Sequence, residues 1–304
     1  MSAPVTVVVP SYGRPGRVRR CLQALARLDY PDCRVVIVDD GSPEPIAPIA
    51  APFGERVRVI RQANAGPARA RNAGVAAAST ELIAFTDDDC EPGPGWLHAL
   101  VAAHARDPGA LVGGRTVNGL PDNAFSSASQ ALVDYLYAYN GERDAGSAFF
   151  TTNNLLFSRS GFEAVGGLDA SFTEAAAEDR ELCLRWRRSG RALRYAPDAV
   201  VAHAHDLTLG GFWRQHAAYG AGAYRLHRVL DAGGDARPKR EPARFYSGIL
   251  LHPWRSGAPA PLGQSALLGL SQVAMVAGYL AGRRRGRAGA DAPGGGVPPG
   301  GPSG

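Results

Sequence analysis

The chain has 304 residues, which suits one large α/β domain with an appendage or two small domains, and it is long enough to bury a core. Hydrophobic residues make up 45% of it, which excludes a wholly disordered chain. The net charge is +5, and Arg283, Arg284, Arg285 and Arg287 contribute four positive charges to it. Because the rest of the chain is near neutral, we expect no surface built for nucleic acid.

The cysteines and the N-terminus bear on the cellular compartment. The four cysteines form no CxxC pair, and their spacing matches no zinc site. The first residues enter a β-branched run without a basic segment and a long apolar segment before it, so we predict no signal peptide. A reduced, cytoplasmic protein is expected, with the inner face of the cell membrane as the alternative location.

Strands and helices alternate over the first part of the chain. Short apolar or β-branched runs predict strands, and apolar residues at helical spacing predict helices. The predicted strands are residues 5–9, 34–38, 57–60 and 82–85, with helices at residues 17–26 and 67–77. This alternation is typical of a parallel sheet covered by helices, in which ligands bind at the carboxyl ends of the strands.

The rest of the chain is less regular and ends in one candidate membrane segment. We predict strands at residues 111–117, 155–158, 193–195 and 200–202, and helices at residues 126–139, 178–188 and 212–230. Residues 262–282 carry no formal charge over 21 positions, close to the length that spans a bilayer. Ser265, Gln272 and Tyr279 recur there at a spacing of seven. This stripe favours an amphipathic helix that lies on a membrane or packs on the protein, with a span as the alternative.

Two acidic clusters follow predicted strands. Asp39 and Asp40 precede a Gly-Ser pair, which fits either a ligand-binding carboxylate or an ordinary Asp-Gly turn. Asp87, Asp88 and Asp89 come directly after the fourth predicted strand. Adjacent carboxylates repel one another unless a cation neutralises them, so the second cluster predicts a site for Mg²⁺ or Mn²⁺. A solvated acidic loop is the alternative.

Two further pairs of residues are candidates for chemistry. Glu178 and Asp179 open a predicted helix, where carboxylates stabilise the helix dipole. The alternative role is that of a general base, which takes a proton from an attacking hydroxyl. His203 and His205 follow the last predicted strand and, being two residues apart, face the same side. Either histidine is a candidate metal ligand.

The order and spacing of seven motifs resemble those of the family 2 glycosyltransferases, which have the GT-A fold. The resemblance covers roughly residues 4–230. The motifs are VVVPSYGR, VIVDDGS, GPARARNAG, LIAFTDDDCEP, TNNLLFSR, GGLD and EDRELCLR, in that order along the chain. The resemblance implies a Rossmann-like, mostly parallel sheet flanked by helices, with a helical appendage at the C-terminus.

The resemblance implies roles for the residues at matching positions. Asp179 is expected to be the catalytic base. The donor nucleotide-sugar is expected to contact Pro10, Ser11, Tyr12, Asp40, Arg71, Asp87 and Asp88. A divalent metal, Mn²⁺ or Mg²⁺, is expected on Asp89, with Asp87 and His203 as further ligands. The acceptor side is expected to include Asn153, Asn154 and Glu178.

The implied reaction is the transfer of one sugar, with inversion, from a UDP-, TDP- or GDP-sugar to an acceptor hydroxyl. The acceptor class stays open among saccharides, lipid-linked glycans and natural products. Processive synthases of this family carry Gln-x-x-Arg-Trp, but here Leu182 precedes Arg185-Trp186, so single transfer is expected. A nucleotidyltransferase and a non-catalytic sugar-nucleotide-binding scaffold are the alternatives.

We predict four segments along the chain. Residues 1–208 form the catalytic domain, with a nucleotide-binding half at about 1–115 and an acceptor half at about 116–208. Residues 209–260 form a helical extension, and residues 261–282 form the apolar or amphipathic helix. Residues 283–304 form a disordered tail rich in Arg, Gly and Pro. The helix and its arginines together predict peripheral membrane contact.

Overall fold

The computed structural model describes residues 3–141, 149–172, 176–233 and 241–290. The strands are β1 (Val5–Ser11), β2 (Cys33–Asp39), β3 (Val57–Arg61), β4 (Leu82–Phe85), β5 (Cys90–Pro92), β6 (Leu111–Asn118), β7 (Leu155–Ser158) and β8 (Leu193–His203). The helices are α1 (Pro15–Ala26), α2 (Ala47–Ala50), α3 (Pro67–Ala77), α4 (Trp96–Arg106), α5 (Ala124–Gly141), α6 (Arg159–Ala164), α7 (Glu178–Arg188), α8 (Leu209–Ala232), α9 (Ala243–Arg255) and α10 (Pro261–Ala290). A 3₁₀ helix spans Ala51–Arg56.

One mixed sheet contains all eight of these strands, in the order β3-β2-β1-β4-β7-β6-β8-β5. The first half is parallel, because β1 pairs with β2 and β4, and β2 pairs with β3, all in parallel. The second half is mixed, since β7 runs antiparallel to both β4 and β6, and β5 runs antiparallel to β8. The GT-A fold class is confirmed, with antiparallel strands that hydrophobic periodicity does not report.

The central strands are buried on both faces. Every residue of β1 is buried, which fits a strand covered by helices on each side. Val7 and Val9 pack with α1 and α4 in one core cluster, while Val8 packs in a second cluster that includes residues of α3 and α7. Two hydrophobic layers therefore hold the carboxyl ends of β1, β2 and β4 at a fixed position.

Two parts of the sheet and its cover differ from the prediction. The two short strands expected at residues 193–195 and 200–202 are one strand, β8, with a bulge where Gly114 pairs with Ala196 and Arg115 with Val200. Pro197 and Asp198 lie within the bulge and interrupt the strand pattern of the sequence, so a gap was predicted there. Hydrophobic periodicity did not predict the short elements β5, α2 and α6 or the helix α4, and it predicted α9 only as part of a helical extension, without bounds of its own.

The C-terminal helices pack on one another. The expected helical extension contains α8 and α9, and α10 packs chiefly on α8 with further contacts to α9 and α5. The start of the predicted tail is corrected, because α10 continues to Ala290 through Arg and Ala residues that favour helix. Residues 291–304 lie outside the described residues. The division of the chain into domains stays a prediction.

Candidate active site

The three aspartates that follow β4 lie at the carboxyl edge of the parallel strands and make separate contacts. Asp87 Oδ1 accepts a hydrogen bond from Arg71 Nη2 at 2.5 Å. Asp88 is fully buried, and its Oδ2 accepts a hydrogen bond from Ser11 Oγ at 2.5 Å. Asp89 is 7% exposed and lies against β8. The predicted cluster is therefore a set of three carboxylates with different partners.

Asp89 and His203 form a pair because β5 is aligned with β8. Cys90 lies opposite His203 in this antiparallel pairing, and Ala204 N donates to Asp89 O at 2.8 Å. His203 Nε2 lies 3.2 Å from Asp89 Oδ1. Burial lowers the pKa of His203, but the hydrogen bond and charge of Asp89 outweigh it and raise the pKa. Burial raises the pKa of Asp89, but His203 and the charge of Arg14 bring it well below the usual range.

The donor atoms around this pair suit a hard divalent cation. Ligand atoms of Asp89, Cys90 and His203 all lie within 4.8 Å of one another. Burial, followed by the charge of Asp89, raises the pKa of the Cys90 thiol well above its usual range. Carboxylate and imidazole are ligands for Mn²⁺, whereas thiolates select softer metals, so Asp89 and His203 are the candidate ligands. These two residues fit a Mn²⁺ or Mg²⁺ ion.

The second histidine, His205, differs from His203 in its contacts and in its charge. Its ring centroid lies 4.8 Å from that of His203. Burial, and then the charge of His203, lower the pKa of His205 to about 4, so its imidazole is neutral at pH 7. Of the two candidate histidines, only His203 contacts an aspartate of the cluster through a recorded ion pair.

Two arginines that the sequence analysis did not assign to the site hold Asp88 and Asp89. Arg14 Nη2 lies 2.8 Å from Asp88 Oδ1, and Arg14 Nη1 lies 3.3 Å from Asp89 Oδ2. Arg17 Nη1 lies 2.8 Å from Asp89 Oδ2. The signal was the Gly-Arg-Pro turn after β1, because a helix beginning at Pro15 brings Arg17 in its first turn over the strand ends.

Burial makes Asp88 an unusual carboxylate. Burial is the largest cause that raises its pKa, and the charges of Asp89 and Asp87 add to it. The charge of Arg14 and the hydrogen bond from Ser11 act in the opposite direction. The net pKa is about 7, so the carboxyl group is partly protonated at neutral pH.

Glu178 and Asp179 open α7, and Arg71 connects them to the aspartate cluster. Arg71 is 2% exposed, and its Nη1 lies 3.5 Å from Glu178 Oε1 while its Nη2 donates to Asp87. Burial, and then the charge of Asp179, raise the pKa of Glu178 against the charge of Arg71. Burial also raises the pKa of Asp179, although the charge and the backbone N–H of Arg180 lower it. A carboxylate with a raised pKa is a stronger base.

Asp179 makes a contact of the kind expected from its alternative role, which is to stabilise the start of α7. Its Oδ1 accepts the backbone N–H of Arg180 at 2.7 Å, within the first turn of α7. Ala177, which precedes the helix, has φ of +71° and provides no side-chain cap. The two roles are compatible, because one carboxylate oxygen has further acceptor capacity.

The first acidic pair mainly holds loops. Asp40 Oδ1 accepts hydrogen bonds from Gln62 Nε2 at 2.7 Å and Ala65 N at 3.0 Å, and its Oδ2 accepts one from Gly66 N at 2.9 Å. Asp39 Oδ1 accepts the N–H of Ser42 at 2.8 Å. Asp40 thus fixes the segment that leads into α3, so the turn-forming alternative is realised while ligand binding stays a prediction.

The remaining donor-side residues frame the end of β1. Pro10 and Ser11 are buried, and Ser11 O accepts the N–H of Asp40 at 2.9 Å. Tyr12 is 50% exposed, so its ring is accessible from solvent beside the aspartate cluster. An exposed aromatic ring offers a face for stacking.

The two acceptor-side asparagines are buried. Asn154 is 1% exposed, and its Oδ1 accepts from Trp96 Nε1 at 2.8 Å while its Nδ2 donates to Ala199 O and Arg115 O. These bonds give Asn154 a structural role at the bulge between β6 and β8. Asn153 Oδ1 accepts from a threonine hydroxyl at 2.7 Å, and its contact with an acceptor stays a prediction.

The family model described as glycosyl transferase family 2 matches residues 6–166, which is more than half of the chain. The chain belongs to this family. The matched part contains β1 to β4, the aspartates after β4 and both arginines that hold them. Glu178, Asp179 and His203 lie beyond it, and the fold brings them to the same edge.

Two relatives that are named as glycosyltransferases match over most of this family 2 chain. A pre-mycofactocin glycosyltransferase of Mycobacterium tuberculosis (strain ATCC 25618 / H37Rv) is 32% identical over 296 residues, covering 93% of this chain and 57% of the relative. A validoxylamine A glucosyltransferase of Streptomyces hygroscopicus subsp. jinggangensis (strain 5008) is 29% identical over 219 residues, covering 61% of this chain and 52% of the relative. The chain therefore spans little more than half the length of these relatives.

A solved structure supports the fold of this family 2 chain. The mannosyltransferase PcManGT from Pyrobaculum calidifontis, in complex with GDP-Man and Mn²⁺, superposes with a TM-score of 0.61 at 20% identity. The match covers 95% of this chain and 80% of that chain. It extends over the sheet and the C-terminal helices alike.

Proposed function

We propose that this chain transfers a single sugar, with inversion, from a nucleoside-diphosphate sugar to an acceptor hydroxyl. The observation that carries the proposal is the convergence of three groups at one edge of the sheet. These groups are the Asp89–His203 pair, the buried Asp88 and the carboxylates of α7 that Arg71 links to Asp87. The family match favours sugar transfer over nucleotidyl transfer.

Asp89 and His203 hold the metal in this proposal, and Mn²⁺ is supported by the Mn²⁺ complex of the structural neighbour. A divalent ion bound there supplies Lewis-acid stabilisation of the leaving diphosphate. Asp87 becomes a third ligand only if it leaves Arg71, to which it is bound here. Mg²⁺ stays the alternative, because the donor set of one carboxylate and one imidazole accepts either ion.

The donor nucleotide lies at the end of β1 in this proposal. The exposed ring of Tyr12 stacks on the base, and Ser11 and Asp88 lie beneath the ribose and phosphates. The buried Arg71 Nε has no hydrogen-bond partner and Nη1 makes only the 3.5 Å ion pair with Glu178, so both groups can donate to a ligand. Uridine, thymidine and guanosine diphosphates remain the candidates, and the structural neighbour is in complex with GDP-Man.

Asp179 is the proposed general base. It takes the proton of the acceptor hydroxyl as the oxygen attacks the anomeric carbon, and the donor-side bond to the diphosphate breaks in the same step. One displacement inverts the configuration and needs no covalent enzyme intermediate. The raised pKa of Asp179 supports this role, because a base is most effective when its pKa lies nearer the working pH.

The acceptor is proposed only as a hydroxyl compound. The two relatives are named for different compounds, pre-mycofactocin and validoxylamine A, so neither name carries over. Saccharides, lipid-linked glycans and natural products are the classes to test. The segments on the expected acceptor side include residues 142–148, which lie outside the described residues.

Donor class and metal are tested together by thermal shift with UDP, TDP, GDP and CMP, each with and without Mn²⁺. A ligand at about 100 times its Kd adds about 2.7 kcal/mol of stability. We expect one nucleoside diphosphate to raise the melting temperature only with metal, and Asp89→Ala to remove that rise. Asp29→Ala, at an exposed aspartate that precedes the amino end of β2, should keep it. A rise that persists in Asp89→Ala would place the metal elsewhere.

The base is tested by Asp179→Asn. We expect transfer to be abolished while the metal-dependent thermal shift with the nucleoside diphosphate is kept, because Asn cannot accept the proton but preserves the shape. Product analysis of the wild type should find a nucleoside diphosphate, whereas a nucleotidyltransferase releases pyrophosphate. Transfer at the wild-type rate in Asp179→Asn would show that another group is the base.

A further inference from the structure

The helices α9 and α10 expose an unusual share of apolar side chains. Among the described residues, twelve large hydrophobic side chains are exposed, and eight of them belong to these two helices. We call these eight side chains the α9–α10 face: Tyr246, Leu250, Leu251, Trp254, Leu262, Val273, Val276 and Leu280. Soluble monomers rarely expose contiguous apolar patches of this kind without a partner.

The two helices adjoin, so their exposed side chains share one region of the surface. Trp254 Nε1 donates to Ser265 Oγ at 3.1 Å, and Ser265 Oγ donates to Leu250 O at 2.7 Å. The Leu250 side chain also reaches Gly269, since a Cβ built there would lie 3.8 Å from Leu250 Cδ2. The exposed residues of α9 therefore border the exposed side of α10.

Polar residues of α10 point into the protein. Ser271 is fully buried, and Tyr279 Oη lies 3.0 Å from His227 Nδ1 of α8. Val273 and Val276 are 59% and 60% exposed on the other side of the same helix. The inward side of α10 also contains the buried apolar residues Leu268 and Ala274, so α10 is apolar on both sides, and its exposed valines indicate an apolar environment outside.

The charge of the same region has one sign. Residues 242–290 contain no Asp or Glu and six arginines: Arg244, Arg255, Arg283, Arg284, Arg285 and Arg287. Their combined charge of +6 exceeds the +5 of the whole chain. An anionic lipid surface complements it, because arginines near the headgroups are attracted to the negative surface potential. The same face of a second copy of this chain does not complement this charge. The arginines of the two copies would lie against one another, with no Asp or Glu in this region to pair with them.

The helix α10 is long enough to span a bilayer, but its packing holds it on the protein. Pro261–Arg285 passes a test of length and apolar composition for a membrane helix. However, α10 lies along α8 at backbone contact, since a Cβ on Gly278 would meet Ala217 O at 1.8 Å. The exposed side of α8 carries charged residues such as Arg214 and Arg228. A spanning α10 would draw these charges into hydrocarbon.

We propose that the α9–α10 face docks on the surface of an anionic lipid bilayer, with α10 lying in the plane of the interface. The apolar side chains enter the boundary between headgroups and acyl chains, and the arginines bind the anionic headgroups. Trp254 and Tyr246 match the preference of aromatic residues for this boundary. The inference does not depend on the sugar-transfer proposal, since vesicle binding is measured without donor or acceptor.

Vesicle flotation of the full chain tests the proposal. Vesicles of phosphatidylcholine with 30% phosphatidylglycerol should bind the protein at least about tenfold more tightly than pure phosphatidylcholine at low salt. Raising the salt should weaken binding, because the arginines are screened. Equal binding to both vesicles, or none to either, would overturn the proposal.

Two sets of variants distinguish binding through the α9–α10 face from nonspecific binding to vesicles. Leu262→Gln with Leu280→Gln, and Arg283→Gln with Arg284→Gln and Arg285→Gln, should each weaken binding about tenfold or more. Leu209→Gln and a triple change of the exposed Arg19, Arg27 and Arg106 to Gln are matched controls that should bind as wild type. Circular dichroism and melting temperature verify that each variant folds. Controls as weak as the test variants would contradict the proposal.

Depth is measured through the indole of Trp254. Brominated lipids should quench part of the tryptophan fluorescence of the wild type, and Trp254→Phe should lose most of this quenching. Trp96 and Trp186 are buried, so they contribute little to it. Light scattering tests the alternative occupant, a second copy of this chain. If the wild type is a dimer that does not bind vesicles, and Leu262→Gln with Leu280→Gln makes it a monomer, the face is a dimer interface and the proposal is wrong.

Discussion

At the residue scale, the site is shaped by carboxylates buried beside arginines. Asp88 and Glu178 are almost completely buried, and burial is the largest cause that raises the pKa of each. Arg14 and Arg71 offset only part of this effect. Burial and neighbouring charges that shift pKa values in this way are typical of functional sites, which supports the proposed roles of these acids.

Glu178→Gln should flatten the pH dependence of stability. Burial raises the pKa of Glu178 from 4.5 to about 7, so between these pH values the folded chain holds a proton that the unfolded chain releases. The free energy of unfolding therefore falls as pH rises through this window, by at most about 1.4 kcal/mol per pH unit. Gln does not ionise, so the variant should lose less stability than wild type between these pH values in urea unfolding.

Glu163→Gln is the matched control for that experiment. The Glu163 side chain is 58% exposed in an ion pair with Arg159 on α6, so its replacement should leave the slope of the wild type unchanged. A slope in Glu178→Gln as steep as that of wild type would show that Glu178 titrates normally. It would also show that burial does not raise the pKa of Glu178.

At the element scale, α3 carries Arg71 to the site by lying directly on the sheet. A Cβ on Gly74 would meet Val8 Cγ1 at 2.2 Å and Val38 Cγ2 at 3.1 Å, so only glycine allows this approach. Gly66, with φ of +90°, provides the turn into the helix, and its N–H binds Asp40. The position of Arg71 therefore depends on a short distance between one helix and two strands.

Gly74→Ala should destabilise the protein by about 1–3 kcal/mol, because the added methyl group forces α3 away from β1 and β2. Urea unfolding measures the loss. Gly16→Ala is the control within a helix, since a Cβ there meets nothing within 4 Å, and it should be neutral or stabilise by up to about 1 kcal/mol. Equal stability of the two variants would mean that α3 moves away from the sheet freely.

At the scale of the whole molecule, the C-terminal helices are part of the packed structure. The backbones of α8 and α10 touch where Gly278 faces Ala217 and Gly220 faces Met275. Leu268 of α10 and Ile249 of α9 share a core cluster with residues of α5. The appendage that the sequence predicts therefore packs on α5, which lies in the segment predicted to form the acceptor half.

Gly278→Ala should lower the stability of the whole chain by about 2 kcal/mol or more, because its methyl group would overlap backbone atoms that no rotamer change can move. Thermal unfolding followed by far-UV and near-UV circular dichroism should give one shifted transition. Gly263→Ala, also in α10 but with nothing within 4 Å, should melt as wild type. A separate early transition in Gly278→Ala would show that α10 unfolds independently.

The sequence by itself determined the alternation of strands and helices and the placement of acidic residues at strand ends. The predicted bounds of β4, β7, α3 and α7 agree with the structure, because the two strands are short, mainly apolar runs and the two helices begin at a proline or with acidic residues in the first turn. The motifs after β2 and β4 pointed to the site because parallel strands end at one edge. These signals are local, and each is complete within about ten residues.

Only the tertiary structure decided which of these residues meet. His203 reaches Asp89 through the antiparallel pairing of β5 with β8, and Arg71 reaches Glu178 through the packing of α3 and α7 on one face of the sheet. The inward position of Tyr279 on α10 likewise depends on its contact with α8. Strand direction and helix packing depend on contacts between distant residues, and the periodicity of one segment carries no information about its partner.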